Sequence, residues 1–136
     1  MKKKYTPEER AAVNAARARL AEAAKELEAN APANIDRAVA ILSQYSRRNV
    51  ALILAQAAER GRDIPAAVAG FHEWRKAGRI VRKGSQGYFI YAPIVRKDDL
   101  EDGASPSGFT VRHVFDVADT DAMTDDSPAT LTEAMQ

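Results

Sequence analysis

Gly78-Arg79-Ile80-Val81-Arg82-Lys83-Gly84-Ser85-Gln86-Gly87-Tyr88-Phe89-Ile90-Tyr91-Ala92-Pro93-Ile94-Val95 is the stretch in which the hydrophobic pattern of this chain changes period. Upstream of Gly78 the apolar residues recur three and four apart, as on a helix; downstream they alternate, as on a strand. Arg79 to Arg82 reads as a short β-branched strand. Lys83-Gly84-Ser85-Gln86-Gly87 reads as a hairpin turn, and residues 88–95 as the next strand. The alternation sets Tyr88, Ile90, Ala92 and Ile94 on one face, and Phe89, Tyr91 and Pro93 on the other. Pro93 donates no ladder hydrogen bond and marks an edge or an end. A third strand is expected over residues 109–117, with Phe109, Val111, His113, Phe115 and Val117 on one side.

Working back from Gly78, the chain reads as four helices, over about 7–29, 34–44, 46–60 and 66–77. The first opens on Thr6-Pro7-Glu8-Glu9, a Thr cap with Pro at the first helical position and Glu placed to close a capping box. Its apolar stripe, Val13, Ala16, Leu20, Ala23 and Leu27, is narrow and suits a helix lying on its own domain. Asn34 is the expected cap of the second helix, whose apolar face is Ile35, Ala38, Val39 and Leu42. Ser46 caps the third, which is apolar nearly all round from Val50 to Ala58 and therefore belongs at the centre of the fold. Pro65 allows a short helical restart in which Phe71 and Trp74 share a face, and Gly78 stops it. Helices first and a small antiparallel sheet afterwards make an α+β fold.

The chain has 136 residues, 46% hydrophobic and 29% charged, and no cysteine. It is expected to be one domain with tails, large enough to bury a core without disulfide or metal. Thiol catalysis and thiolate zinc sites are excluded, no apolar run approaches a membrane span, and a cytoplasmic location is expected. The formal net charge of +1 conceals a strong segregation. Residues 1–97 hold 19 Lys and Arg against 9 Asp and Glu, a net of +10, and residues 98–136 hold Arg112 against 10 acids, a net of −9. Between Tyr45 and Lys97 there are 11 basic residues against Glu59, Asp63 and Glu73, a net of +8. The last part of the acidic end, residues 118–136, has little apolar periodicity and is expected to be disordered. It serves either as a solubilising tail or as a competitor for the basic surface.

Enzymatic patterns are absent. His72-Glu73 opens like a His-Glu-x-x-His zinc helix, but Lys76 stands where the second histidine is needed. His113, the other histidine, cannot hold a metal alone. The acids cluster where water screens them, so no carboxylate is set up as a general acid. Lys83 to Gly87 lacks the Gly-Lys-Ser/Thr ending of a nucleotide loop. No metal, cofactor or catalysis is therefore implied. Single-stranded nucleic acid asks for cations along its phosphates and flat side chains for its bases. The chain interleaves them: Arg47 and Arg48 near Tyr45, Arg75 and Lys76 beside Trp74, and Arg79, Arg82 and Lys83 leading into Tyr88 and Tyr91. A solvated rim around a core of Phe71, Trp74 and Tyr88 is the plainer account of the same residues, and the +8 net favours binding over it.

The order Tyr45-Ser46-x-Arg48-Asn49, Val68-Ala69-Gly70-Phe71-x-x-Trp74, Gly78-Arg79-x-Val81-x-Lys83-Gly84-x-x-Gly87, Ile90-x-x-Pro93 and Gly108-Phe109 to Val114-Phe115-Asp116-Val117 resembles the N-terminal domain of ArdC-type antirestriction proteins. The resemblance covers roughly residues 33–120 and sets off residues 1–32 as a helix and linker and 121–136 as an acidic tail. It implies a single-stranded DNA-binding domain of the sort carried by plasmids, phages and other mobile elements for antirestriction or DNA protection. It also implies a DNA surface holding Arg48, Asn49, Arg79, Lys83 and Gly84, with Phe71 and Trp74 matching the motif. Larger members add a metalloprotease-like domain with a His-Glu-x-x-His helix; these 136 residues hold no such motif, and protease activity is not implied. The competing reading is a protein-interaction module whose basic face meets an acidic partner protein of the host.

Overall fold

Thr6 closes the capping box that its sequence requires: its hydroxyl accepts from the Glu9 N–H at 3.1 Å, and the Glu9 carboxylate accepts from the Thr6 N–H at 3.2 Å. The helix it starts, α1, spans Pro7–Asn30 in the computed structural model, which describes residues 5–93 and 108–123. The chain divides between Ile64 and Pro65 into two compact units.

In the first unit α1 is followed by α2 (Pro32–Ile41) and α3 (Arg47–Glu59). The expected stripe of α1 is half-buried along its length, and Ala24 beside it is fully buried. The second helix begins earlier than expected. Ala31 is its N-cap and Pro32 its first residue, a position where the missing N–H of proline costs nothing. Asn34 therefore lies inside the helix, where its side-chain oxygen accepts from Arg37 at 2.9 Å. Helix α2 also stops at Ile41, short of residue 44, and the Tyr45 N–H closes a turn on the Leu42 carbonyl at 3.1 Å. Helix α3 is buried from Val50 to Ala57, as an all-round apolar helix must be. The one polar member of that run, Gln56, donates from its amide to the Leu52 carbonyl at 3.1 Å, so its burial leaves that donor satisfied.

Arg19 of α1 and Glu59 of α3 join these two helices through a two-pronged bridge, with N–O distances of 2.7 and 3.4 Å. The hydrogen bond from Arg19 lowers the Glu59 carboxyl pKa, and the hydrogen bond and charge of Glu59 raise that of Arg19. A lowered carboxyl pKa contributes stability above the unfolded carboxyl value and loses it as pH falls through the folded one. Both groups are open to water, so the effect is small. Glu59→Gln is expected to melt slightly below the parent at neutral pH and to converge with it in acid; curves that stay parallel through acid would refute the bridge.

In the second unit β1 (Val68–Ala69), β2 (Arg79–Val81), β3 (Tyr88–Pro93), β4 (Phe109–Asp116) and β5 (Thr120–Ala122) form two antiparallel sheets, and the short helix α4 (Phe71–Lys76) lies between β1 and β2 in the chain. One has the order β1-β4-β3 and the other is the pair β2-β5. Three expectations are corrected. The helix expected over 66–77 begins only at Phe71, because Val68 and Ala69 pair with Asp116 and Phe115 as a strand. The turn at Lys83 to Gly87 does not make a hairpin, because β2 pairs with β5 and β3 with β4. The chain from Ala118 does not become tail at once. The buried Asp116 carboxylate accepts from the Ala118 N–H at 2.9 Å, a 3-10 turn covers Val117–Asp119, and β5 returns to β2. Residues 124–136 of the expected tail, Ile94 and Val95 of the expected strand, and most of the polar loop lie outside the described residues. Among the described residues no helix is long and apolar enough to cross a membrane.

Gly78 ends α4 with φ +85°, a left-handed conformation that suits glycine, and its N–H closes on the Arg75 carbonyl at 3.0 Å. The β3-β4 ladder pairs Tyr88 with Val114, Phe89 with His113, Ile90 with Arg112, Tyr91 with Val111 and Pro93 with Phe109. Directly opposed residues share a face, so Tyr88, Ile90 and Val114 stand on one side. Phe89, Tyr91, Val111, His113 and Phe109 stand on the other, as the alternation predicts. Burial is concentrated at one end of the ladder, at Tyr88, Phe89, Ile90 and Val114, and fades toward Phe109, which is 66% exposed.

Candidate nucleic-acid interface

The candidate residues fall in both units. Tyr45, Arg47, Arg48 and Asn49 stand in the first; Trp74, Arg75, Arg79, Arg82, Lys83, Gly84 and Tyr88 stand in the second.

In the first unit the candidates gather at the start of α3, where the Ser46 hydroxyl accepts from the Asn49 N–H at 3.1 Å. Cations are disfavoured at a helix N-terminus by the helix dipole. Arg47 and Arg48 are accommodated there by carboxylates of the other two helices. Arg47 reaches Asp36 at 2.7 Å and Arg48 reaches Glu28 at 3.1 Å. Both guanidiniums keep about half of their surface in water, so a phosphate can compete for them. Tyr45 and Asn49 are half-buried beside them in the chain.

In the second unit the expected cations have structural work. Arg79 donates from Nε to the Thr120 hydroxyl at 2.7 Å and from its guanidinium to the Thr120 carbonyl at 3.1 Å. Arg82 donates to Asp121 at 2.9 Å and to the Ala118 carbonyl at 2.6 Å, with a longer bond to the Thr120 carbonyl and Asp119 at 4.0 Å. Together they tie β2 to the segment that carries β5. Lys83 and Gly84 lie exposed on the turn that follows, and Gly84 has φ +85°, which only glycine adopts readily.

Two aromatics expected to stack bases are core residues. Trp74 is 8% exposed and its indole N–H donates to the Phe115 carbonyl at 2.8 Å. Tyr88 is fully buried in the ladder. A base cannot stack on a ring that has no open face. Among the described residues the exposed large aromatic rings are Tyr5 at 37%, Phe71 at 38% and Phe109 at 66%.

Helix α4 presents Phe71 with its cations. The Glu73 carboxylate accepts from the Gly70 N–H at 3.3 Å, fixing the first turn. The Arg75 guanidinium carbon lies 5.6 Å from the centre of the Phe71 ring, the cation–π contact that a four-residue helical spacing allows. The His72 ring meets the same phenyl edge-on at 5.6 Å and 87°. Lys76, which the sequence placed beside Trp74, is exposed at the end of this helix. The Phe71–Arg75 spacing was visible in the sequence; the phase that buries Trp74 and bares Phe71 was not.

No curated protein sequence matches the chain. Among solved structures it is similar to the antirestriction protein ArdC from the R388 plasmid. The Mn(II)-bound form is 22% identical with a TM-score of 0.49, covering 68% of this chain and 40% of that one. The metal-free form is 24% identical with a TM-score of 0.41, covering 57% and 29%. The chain thus spans less than half the length of those proteins. A family model for the N-terminal domain of the anti-restriction factor ArdC matches residues 11–125, from within α1 to just beyond β5, and this chain belongs to that family.

Proposed function

We propose that the chain is a single-stranded DNA-binding domain that works without catalysis, in the antirestriction or DNA protection carried out for a mobile element in the cytoplasm. The observation that carries this reading is the charge segregation, a net of +8 between Tyr45 and Lys97. An ordinary solvated surface mixes both signs. Membership in the ArdC N-terminal family supports it, as does the survival of water-exposed guanidiniums at Arg47 and Arg48.

Counterion release gives the test. If about five phosphates are neutralised, log affinity for a single strand falls against log salt with a slope of about −3 to −4. Anisotropy titrations of single-stranded and duplex oligonucleotides across salt are expected to show that slope and a preference for the single strand. A flat salt response, or equal affinity for duplex, would point instead to a protein partner for the basic face.

A further inference from the structure

We infer that Phe71, flanked by His72 and Arg75 with Lys76 on the same short helix, is the base-stacking platform of the single-stranded nucleic-acid site. The inference rests on the function proposed above and assigns its bases to a ring that composition alone does not single out. Three observations converge on it. Among the described residues Phe71 is one of the few large apolar side chains left open to water, at 38%, although the helix that carries it buries Trp74. Arg75 lies 5.6 Å from the phenyl centre, which places a cation and a π-face in one patch before any ligand arrives. His72 meets the ring edge-on at 5.6 Å, and exposed Lys76 adds a second positive charge.

The chemistry fits a nucleotide. A base is a flat π-system that stacks on phenyl and on guanidinium planes alike, and its phosphate is an anion that Arg75 and Lys76 can meet. Sequence tolerance follows, since every base has a π-face. The platform is also held firmly. The Gly70–Glu73 bond sets the first turn of α4, the Trp74 N–H anchors the helix to the Phe115 carbonyl, and Gly78 closes its end. A side chain on an anchored helix gives up less freedom on binding than one on a loop.

The test uses the whole chain and a labelled oligothymidylate of about 30 nucleotides. Phe71→Leu keeps an apolar side chain and removes the π-face; it is expected to weaken binding about fivefold or more while leaving the salt slope unchanged. Phe71→Tyr keeps the ring and is expected to bind like the parent. Lys76→Gln is expected to make the salt slope shallower by about 0.7. The emission of Trp74, the single tryptophan, reports that each variant is folded. Parent-like binding by Phe71→Leu, or loss of binding in Phe71→Tyr equal to that in Phe71→Leu, would overturn the platform and leave the proposed function standing. So would a loss confined to Phe109→Leu, which would move the bases to the β3-β4 ladder. Failure of the parent itself to prefer single strands would overturn the function instead.

Discussion

Trp74→Ala is expected to destabilise the second unit by about 3–5 kcal/mol, the range for truncating a buried aromatic. The indole is 8% exposed, and its N–H is bonded to the Phe115 carbonyl in β4. Removing it opens a cavity under α4 and takes the indole donor away from that carbonyl. Trp74→Phe retains most of the packing and is expected to cost less, about 1–3 kcal/mol, chiefly through the lost hydrogen bond. Urea melts followed by circular dichroism measure both. A Trp74→Ala variant within about 1 kcal/mol of the parent would show that the ring is not core. The consequence for function is direct. Weakened DNA binding by Trp74→Ala reports unfolding, whereas weakened binding by a folded Phe71→Leu reports the surface.

The Arg79→Ala, Arg82→Ala double variant is expected to lose about 2–4 kcal/mol and to release β5 from β2. Their guanidiniums donate to Thr120, Ala118 and Asp121. Hydrogen bonds from charged donors are worth about 1.5–3 kcal/mol each when well sheltered. Arg82 keeps 48% of its side-chain surface in water, so the sum is discounted. Hydrogen exchange shows the effect locally: the Arg82 N–H, bonded to the Asp119 carbonyl at 2.9 Å, is expected to lose protection together with the β2-β5 ladder. Unchanged protection would mean that the ladder holds without the arginines. Lys83→Ala, on the exposed turn, is expected to stay within about 0.5 kcal/mol of the parent. It therefore separates the loss of a cation from the loss of a structural clamp.

The same division explains how much of the site was legible in the chain. Arg79 and Arg82 look like free cations because nothing near them in sequence is acidic. Their partners stand about forty residues later, in a segment whose composition resembles a tail. Asp121 and Ala122 have weak β propensity, and they follow Thr120 into a strand because β2 offers an unpaired edge and Asp116 turns the chain toward it. Val68 and Ala69 became a strand for a similar reason, through a partner in β4 that no local window contains. Arg47 and Arg48 were placed correctly at the start of α3, but the carboxylates of Asp36 and Glu28 that accommodate them there belong to other helices.

Local chemistry alone determined the capping box at Thr6, the Ser46 cap of α3, the burial of Val50 to Ala57, the stop at Gly78 and the change of period that makes the fold α+β. Each of these is settled within a few residues by hydrogen-bonding geometry, backbone sterics or side-chain periodicity. Tertiary structure decided which strands pair, which arginines are committed to carbonyls and carboxylates, and which aromatic of α4 faces water. Phe71 and Trp74 are three residues apart and equally apolar to a helical pattern. Only the docking of Trp74 onto the Phe115 carbonyl separates them, by turning one ring into core and leaving the other exposed beside Arg75.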